Sequence, residues 1–524
     1  MRPIVDSATM RLIEERSFSV GQTVESLMDT VGRQLAECIR TLVQKSKTPP
    51  LVLLLAGKGN NGADGYTALS LLLRQNIDCL VWQISPPSPR SVLDRRKQAF
   101  VNMGGRVIDF PSLPPTDKPM LIIDGIYGAG FRGKPDPASG KAILWANSQS
   151  DIVVSIDVPS GIDPTTGEAP GEAIFADFTL ACHFPKRGCF LSQGWEHTGT
   201  VLIADLPLEH QRADLCLLES SDITHMLPRR HRTQNKFQAG SVVGIGGSAG
   251  MMGAVSLSSE AAYTVGAGYV RLLLPETMER QIGQLPREVV KTLLPESMDA
   301  WVPWLSHVDA AFVGPGLGRS NETMRRLEAL WPHLTMPTVV DADALFWLST
   351  LPQESWKIDG KILTPHLGEI SRLLHQNISA VDDALLHHLR AIASTTQSTI
   401  VVKGAPTFII SEGQPVLVMP RGDPGMATAG TGDVLTGMIS GFLAQQLTPP
   451  SAAVLGTWLH AISGEISAQK RTSYGLIASS LLSAIPSAIL QLLEQGTEGV
   501  LRGYVPFGRA EPRRIEDHMA EKFP

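Results

Sequence analysis

The chain has 524 residues, more than one hydrophobic core usually holds, so two or more domains are expected. Lysine and arginine number 45 against 51 aspartates and glutamates, a slightly acidic balance that argues against a surface built for nucleic acid. The five cysteines (Cys38, Cys79, Cys182, Cys189, Cys216) lack CxxC spacing and read as reduced thiols of a cytoplasmic protein; without a basic-then-apolar leader or a run of membrane-spanning length, a soluble chain is expected.

Residues 8–43 read as helical, with Gly21 and Gly32 as breaks or close-packing points. From Leu51, short apolar strands at 51–56, 79–84, 121–124, 152–157 and 178–182 alternate with helical stretches, a pattern that implies a parallel sheet. The first strand runs into Gly57-Lys58-Gly59-Asn60-Asn61-Gly62-Ala63-Asp64-Gly65, and an apolar helix is expected from Tyr66. The GxGxxG spacing there is weak on its own, while the Asn60-Asn61 pair and Asp64 are more specific. Two more strands end in Asp124-Gly125-Ile126-Tyr127-Gly128-Ala129-Gly130 and Asp157-Val158-Pro159-Ser160-Gly161. One strand-end aspartate is usually turn chemistry, but several polar, glycine-rich loops at one sheet edge converge where open α/β folds place ligands. Lys186, past the strand at 178–182, is a candidate second catalytic group opposite Asp157.

A domain boundary is expected near residue 220, after a strand at 201–205 and before the basic stretch Pro228-Arg229-Arg230-His231-Arg232. Strands at 241–245, 269–274, 310–313, 338–341, 361–363 and 400–402 then form a second doubly wound α/β series. Gly244-Ile245-Gly246-Gly247-Ser248-Ala249-Gly250 leads toward a small-residue helix expected at 258–267. Gly314-Pro315-Gly316-Leu317-Gly318, Asp341-Ala342-Asp343-Ala344-Leu345, Thr364-Pro365-His366-Leu367-Gly368-Glu369 and Lys403-Gly404 each follow a strand. The stretch from Gly422 to Asp433 joins a glycine-rich turn to a helix whose Val434, Leu435, Met438, Ile439, Phe442 and Leu443 share a face. The first amides of such a helix can meet phosphate charge, with Asp433 beside them as a base. The same stretch, taken alone, also reads as a turn followed by an N-capping aspartate. Residues 501–524, rich in charge and proline, are expected to be poorly ordered.

On the segments 60–65, 124–130 and 157–161, residues 1–215 resemble the NAD(P)H-hydrate epimerase family. The resemblance implies a Rossmann-like domain with substrate around Asn60, Asn61, Gly62, Ala63 and Asp64 and around Gly128, Ala129, Gly130, Phe131, Arg132, Gly133 and Lys134. It also implies Asp157 near the reacting ring and a potassium ion at Asn61, Asp124 and Ser160. An oxygen-only shell suits that weakly polarising cation. Ala63 stands where the family commonly has glycine.

On GPGLG, DADAL, TPHLGE and AGTGD, residues 225–500 resemble ADP-dependent NAD(P)H-hydrate dehydratases, a branch of the ribokinase-like superfamily. The resemblance implies Gly316 and His366 on the nicotinamide side, with Gly253 and Ala254 also binding substrate. It implies Lys403, Gly404, Ala405, Pro406, Thr407, Gly430, Thr431 and Gly432 at the nucleotide, with magnesium bridging phosphates and ADP as co-substrate. Asp433 would take the hydroxyl proton during phosphoryl transfer. Asp423 and Phe346 stand where asparagine is common.

Together the two halves imply a bifunctional enzyme that epimerises hydrated NADH and NADPH (NADHX and NADPHX) and dehydrates the S epimer with ADP. A homo-oligomer with small-molecule substrates and no nucleic-acid or membrane partner is expected. The residues leave two rivals: a vitamin-precursor kinase of the same superfamily, and a noncatalytic scaffold. Asp124 and Asp157 favour catalysis over the latter.

Overall fold

The computed structural model describes residues 1–496 other than 116–118, 150–151, 210, 296 and 357, so the tail at 501–524 lies outside the described residues. By contacts the chain groups into two compact units, Met1–Leu218 with Val340–Arg421, and Glu219–Val339 with the chain from Gly422. The division expected from sequence runs by chain order instead.

In the first unit a seven-stranded sheet runs in the order Arg106–Asp109, Cys79–Gln83, Leu51–Ala56, Met120–Gly125, Ile152–Ile156, Phe178–Cys182, Thr200–Ala204. Every neighbouring pair is parallel. The chain enters at Leu51–Ala56, winds outward one way, then returns to Met120–Gly125 and winds the other way. The carboxyl ends of those two strands therefore flank a topological switch point, where open α/β sheets form their ligand crevice. Both faces are covered: Val52, Leu54 and Ala56 pack in one apolar cluster, while Leu51, Leu53 and Leu55 pack in another with Trp82 and Ile143.

The N-terminal helical region divides into Ser7–Ser19 and Val24–Lys45, with Gly21 at φ +100° in the break. Gly32 stays inside the second helix; a Cβ there would lie 2.5 Å from Thr67 Cγ2, so this glycine marks close packing. The helix expected from Tyr66 begins earlier, spanning Asn60–Leu73. A Cβ on Gly65 would sit 2.4 Å from Leu54 Cδ1, so that glycine lets the first turns lie against the strand rather than form a loop. The helix expected at 258–267 is displaced in the same sense, to Met252–Thr264.

A second strip of strands in the first unit runs Arg2–Pro3, Leu215–Leu217, Val416–Met419, Thr407–Ser411, Thr399–Val402, Ile362–Leu363. Leu215–Leu217 pairs parallel with Val416–Met419 and antiparallel with Arg2–Pro3. The antiparallel ribbon of Thr407–Ser411 and Val416–Met419 has no counterpart in the sequence expectation.

The second unit carries parallel strands in the order Ala310–Val313, Ser241–Ile245, Tyr269–Pro275, Val290–Leu294. Its helices Met252–Thr264 and Thr431–Ala444 approach so closely that a Cβ on Gly437 would lie 2.0 Å from the Ser258 carbonyl oxygen. Among the described residues no helix is long and apolar enough to cross a membrane.

Candidate active sites

A cavity of about 850 Å³ lies at the switch point of the seven-stranded sheet, lined by Asn60, Asn61, Asp64, Gly128, Ala129, Gly130, Phe131, Arg132, Lys134, Asp157 and Lys186. Gly62, Ala63 and Gly133 are not in its wall. Ala63 packs in the core behind it, and a Cβ on Gly62 would lie 2.8 Å from the Gly57 carbonyl oxygen.

Asp157 follows its strand with φ +69° and turns its carboxylate toward Lys186. The Lys186 ammonium donates to Asp157 Oδ1 at 2.5 Å, to the Phe184 carbonyl at 2.9 Å and to the Cys182 carbonyl at 3.3 Å. The Cys182 amide donates to the same Asp157 oxygen at 3.1 Å. Burial is the largest influence and opposes the lysine charge, but the Asp157 carboxylate together with Cys182 and Glu14 holds the Lys186 pKa above its ordinary value. Lys186 is a buried member of the cavity wall.

Asp64 is also buried, and its Oδ1 has no hydrogen-bond partner. Burial pushes its carboxyl well above the usual carboxylate range; the Asp157 and Glu14 charges push the same way, and Arg96 opposes them. Glu14, on helix Ser7–Ser19, lines the cavity as well. Burial raises its pKa, the Lys186 charge opposes that, and Asp157 reinforces it. Nothing in the sequence reading singled out Glu14. Its signal was an acid placed between the buried Met10 and Ser17 at helical spacing on one face.

The three residues expected at potassium belong to one hydrogen-bonded cluster. Asp124 Oδ2 accepts from the Ser155 hydroxyl and the Ser160 amide, each at 2.8 Å, and Oδ1 accepts from the Ser160 hydroxyl at 2.5 Å. Ser160 Oγ accepts from the Tyr127 amide at 2.9 Å, and Asn61 Nδ2 donates to the carbonyls of Tyr127 at 2.9 Å and Ile156 at 2.6 Å. Burial raises the Asp124 pKa, while the hydroxyl and amide donors around it lower it. A buried carboxylate among neutral donors, with further oxygens close by, fits a hard monovalent cation.

In the second unit, helix Thr431–Ala444 starts from Gly430, which adopts φ +93° and provides no side-chain cap. Asp433 sits in the first turn and is not the N-cap. The turn is anchored: Thr431 Oγ1 donates to the Met426 and Thr428 carbonyls at 2.9 Å, and His460 Nε2 meets the Thr431 carbonyl at 2.8 Å. Ser258 Oγ donates to the Asp433 carbonyl at 2.9 Å and to the Ala254 carbonyl at 3.2 Å, tying these two expected site residues together. Gly316 has φ +60°, and a Cβ there would lie 2.4 Å from the Met251 carbonyl oxygen and 3.3 Å from Ala254 Cβ. Gly316, Ala254 and Asp433 are thus neighbours through short links. Gly253 meets nothing within 4 Å of its Cβ position. A separate cavity of about 200 Å³ is lined by Gly246, Gly247, Ser248 and Leu317, but by none of those expected site residues. Asp423 braces its own turn, accepting from the Gly425 amide at 2.8 Å and the Ser473 hydroxyl at 3.0 Å.

The remaining expected positions lie in the first unit. Lys403 Nζ donates to Asp341 Oδ1 at 2.7 Å and lies 3.7 Å from Glu369 Oε2. His366 caps helix Leu367–Leu373: its Nδ1 accepts the Glu369 amide at 3.3 Å, while Glu369 Oε2 accepts the His366 amide at 2.8 Å. That reciprocal bond is a capping box, so part of the signal in TPHLGE is structural. Burial raises the Glu369 pKa; Lys403 opposes it and Asp341 adds to it. Glu369 was missed as a site neighbour, although its spacing from His366 is the capping-box spacing. Past Lys403, Gly404 and Ala405 are exposed and Pro406 is buried, while Thr407 Oγ1 donates to the Gly404 carbonyl at 2.9 Å. The Phe346 ring faces the Arg372 guanidinium at 5.4 Å.

A family model described as YjeF-related protein N-terminus matches residues 24–188, and one described as NAD(P)H-hydrate dehydratase matches residues 242–487. The bifunctional NAD(P)H-hydrate repair enzyme Nnr of Moorella thermoacetica is 32% identical over 498 residues, covering 91% of this chain and 94% of that protein. The Escherichia coli protein of the same name is 30% identical over 478 residues, covering 90% of each. A Bacillus subtilis ADP/ATP-dependent NAD(P)H-hydrate dehydratase, co-crystallised with ATP and Mg2+, is 23% identical with a TM-score of 0.45, covering 52% of this chain and 97% of its own. The match to the repair enzymes runs through both glycine-rich series, and the chain belongs to the family of bifunctional NAD(P)H-hydrate repair enzymes.

Proposed function

We propose that residues 1–215 interconvert the R and S forms of hydrated NADH and NADPH, and that residues 225–500 dehydrate the S form with ADP, giving NAD(P)H, AMP and phosphate. Family membership supports both reactions. The observation that carries the first is the buried Asp157–Lys186 pair in the wall of a cavity large enough for much of a dinucleotide. Asn60, Asn61, Asp64 and the loop from Gly128 to Lys134 bind the substrate, with Asp157 and Lys186 at the reacting ring. Asn61, Asp124 and Ser160 would hold potassium, which would supply positive charge to the site.

For dehydration, hydroxide is a poor leaving group, whereas phosphate leaves readily. Asp433 takes the proton of the ring hydroxyl as its oxygen attacks the terminal phosphorus of ADP. The bond from that phosphorus to AMP breaks, and amides at Gly430, Thr431 and Gly432 receive the developing charge. Loss of a ring proton and departure of phosphate with its bonding pair then restore the carbon–carbon double bond. Gly316 and His366 contact the nicotinamide side, and Gly253 and Ala254 also bind substrate; Lys403, Gly404, Ala405, Pro406 and Thr407 hold the nucleotide. Magnesium, bound with the nucleotide, would supply positive charge to neutralise its phosphates. Cytoplasmic residence, on the scattered cysteines, and a homo-oligomer, measurable by light scattering, complete the proposal.

The deciding experiment incubates the protein with both epimers of NADHX, ADP, magnesium and potassium. Both epimers disappear, and reduced-nicotinamide absorbance returns in step with phosphate release. A stable phosphorylated alcohol would instead identify a kinase and overturn the dehydratase assignment.

A further inference from the structure

Asp64 occupies the first turns of helix Asn60–Leu73, is 5% exposed, and lines the large cavity beside Asp157 and Lys186. A buried polar atom left without a partner is destabilising unless a ligand serves it, and the unpartnered Asp64 Oδ1 is such an atom. The nearby ammonium does not serve it, since Lys186 donates to Asp157, Phe184 and Cys182. Asp157 has the Lys186 ammonium as its counter-ion, whereas burial and the Asp157 charge both disfavour ionisation of Asp64. The cavity wall thus combines a carboxylate fixed by a lysine with a second, buried carboxyl that has an oxygen open to a ligand.

We propose that Asp64 is the general acid of epimerisation, protonating the departing ring hydroxyl while Asp157 receives the proton of the incoming water. This role rests on the epimerase assignment and deepens it. Hydration of a dihydronicotinamide adds water across an enamine, so the hydroxyl sits on the carbon bonded to the ring nitrogen. The Asp64 O–H bond breaks and its proton joins that hydroxyl. The C–O bond breaks, its electron pair leaves with water, and the nitrogen lone pair forms C=N. Water then attacks the opposite face, its oxygen bonds to carbon, the C=N pair returns to nitrogen, and Asp157 takes the surplus proton. Exchange with solvent restores Asp64 as acid and Asp157 as carboxylate, and nothing is oxidised or reduced. The carboxylate held by Lys186 stabilises the cationic ring between the two steps.

The test uses the full chain with separated R- and S-NADHX in water labelled with heavy oxygen. Wild-type enzyme is expected to introduce a solvent oxygen into the hydroxyl with each interconversion. Asp64→Asn is expected to lower kcat for interconversion by about 10²–10⁴-fold, with a much smaller change in KM because the amide keeps an oxygen for substrate contact. ADP-dependent loss of the S epimer reports that the variant is folded. Should Asp64→Asn lose both activities, Asp64→Glu decides: it keeps the acid, so recovered interconversion supports the role and none overturns it. Undiminished kcat in Asp64→Asn, or interconversion without label, overturns the mechanism while leaving the epimerase assignment intact. A wild-type protein that interconverts neither epimer overturns the assignment itself, and the Asp64 role with it.

Discussion

Lys186 Nζ and Asp157 Oδ1 meet at 2.5 Å with side chains 1% and 7% exposed, so each buried charge has the other as its counter-ion. Removing one member of such a pair leaves an uncompensated buried charge, which typically costs about 3–5 kcal/mol. Asp157→Ala and Lys186→Met are each expected to lose stability on that scale. The double substitution should lose far less than the sum. Denaturant unfolding of the four proteins in the cycle measures the coupling, and additive losses would show that the two charges do not depend on each other.

The two activities are expected to separate by substitution. Asp433→Ala should abolish dehydration and leave R and S interconverting, while Asp157→Ala should do the reverse. Chiral separation of substrate after incubation, with ADP present or absent, reads both reactions in one sample. If folded Asp433→Ala failed to interconvert the epimers, the assignment of the reactions to independent sites would be wrong.

Gly437 gives a test of how firmly the Asp433 turn is held. A Cβ there would lie 2.0 Å from the Ser258 carbonyl oxygen, and Ser258 in turn donates to the Asp433 carbonyl. Gly437→Ala must push the two helices apart, and overpacking of this kind costs about 1–3 kcal/mol. We expect a lower melting temperature and a lower dehydration rate with interconversion unchanged. A rate equal to wild type would mean that the turn does not depend on this helix contact.

Asp64 makes stability depend on pH with a definite sign. Its folded pKa lies well above the ordinary 3.8, chiefly through burial, with Asp157 and Glu14 acting in the same direction against Arg96. An acid raised in this way contributes fully below its unfolded pKa, and that contribution is lost as pH rises through the folded value. Asp64→Asn cannot ionise. Its melting temperature should therefore gain on wild type as pH rises from about 4 to about 8, measured by thermal unfolding across that range. A difference that stays constant with pH would show that Asp64 ionises as easily in the folded protein as in the unfolded chain.

Much of the fold was legible because hydrophobic runs bounded by glycine and polar turns locate parallel strands. Leu51–Ala56, Phe178–Cys182, Ser241–Ile245 and Ala310–Val313 fall where the pattern puts them. Helix starts were harder. Asn60–Gly65 and Met252–Leu257 look like loops because glycine, asparagine and aspartate have weak helix propensity, yet packing against strand or helix favours small residues there. The ribbon Thr407–Ser411 and Val416–Met419 is too short for its alternation to stand out. At the candidate sites, motifs led to Asp157, Asp124 and Asp433, whereas Glu14 comes from a helix far away in sequence. Helical spacing marks its face, but its place in the cavity wall becomes visible only when the chain has folded.

The edge pairing of Leu215–Leu217 sets a practical limit on dividing the molecule. That short strand borrows Val416–Met419 on one side and Arg2–Pro3 on the other, so a fragment stopped at residue 215 would end inside its own ladder. Its amino terminus would lose a neighbour, and the ribbon left in the remaining piece would present a bare edge to any passing chain. Dissection is better done with point substitutions in the intact polypeptide than with scissors.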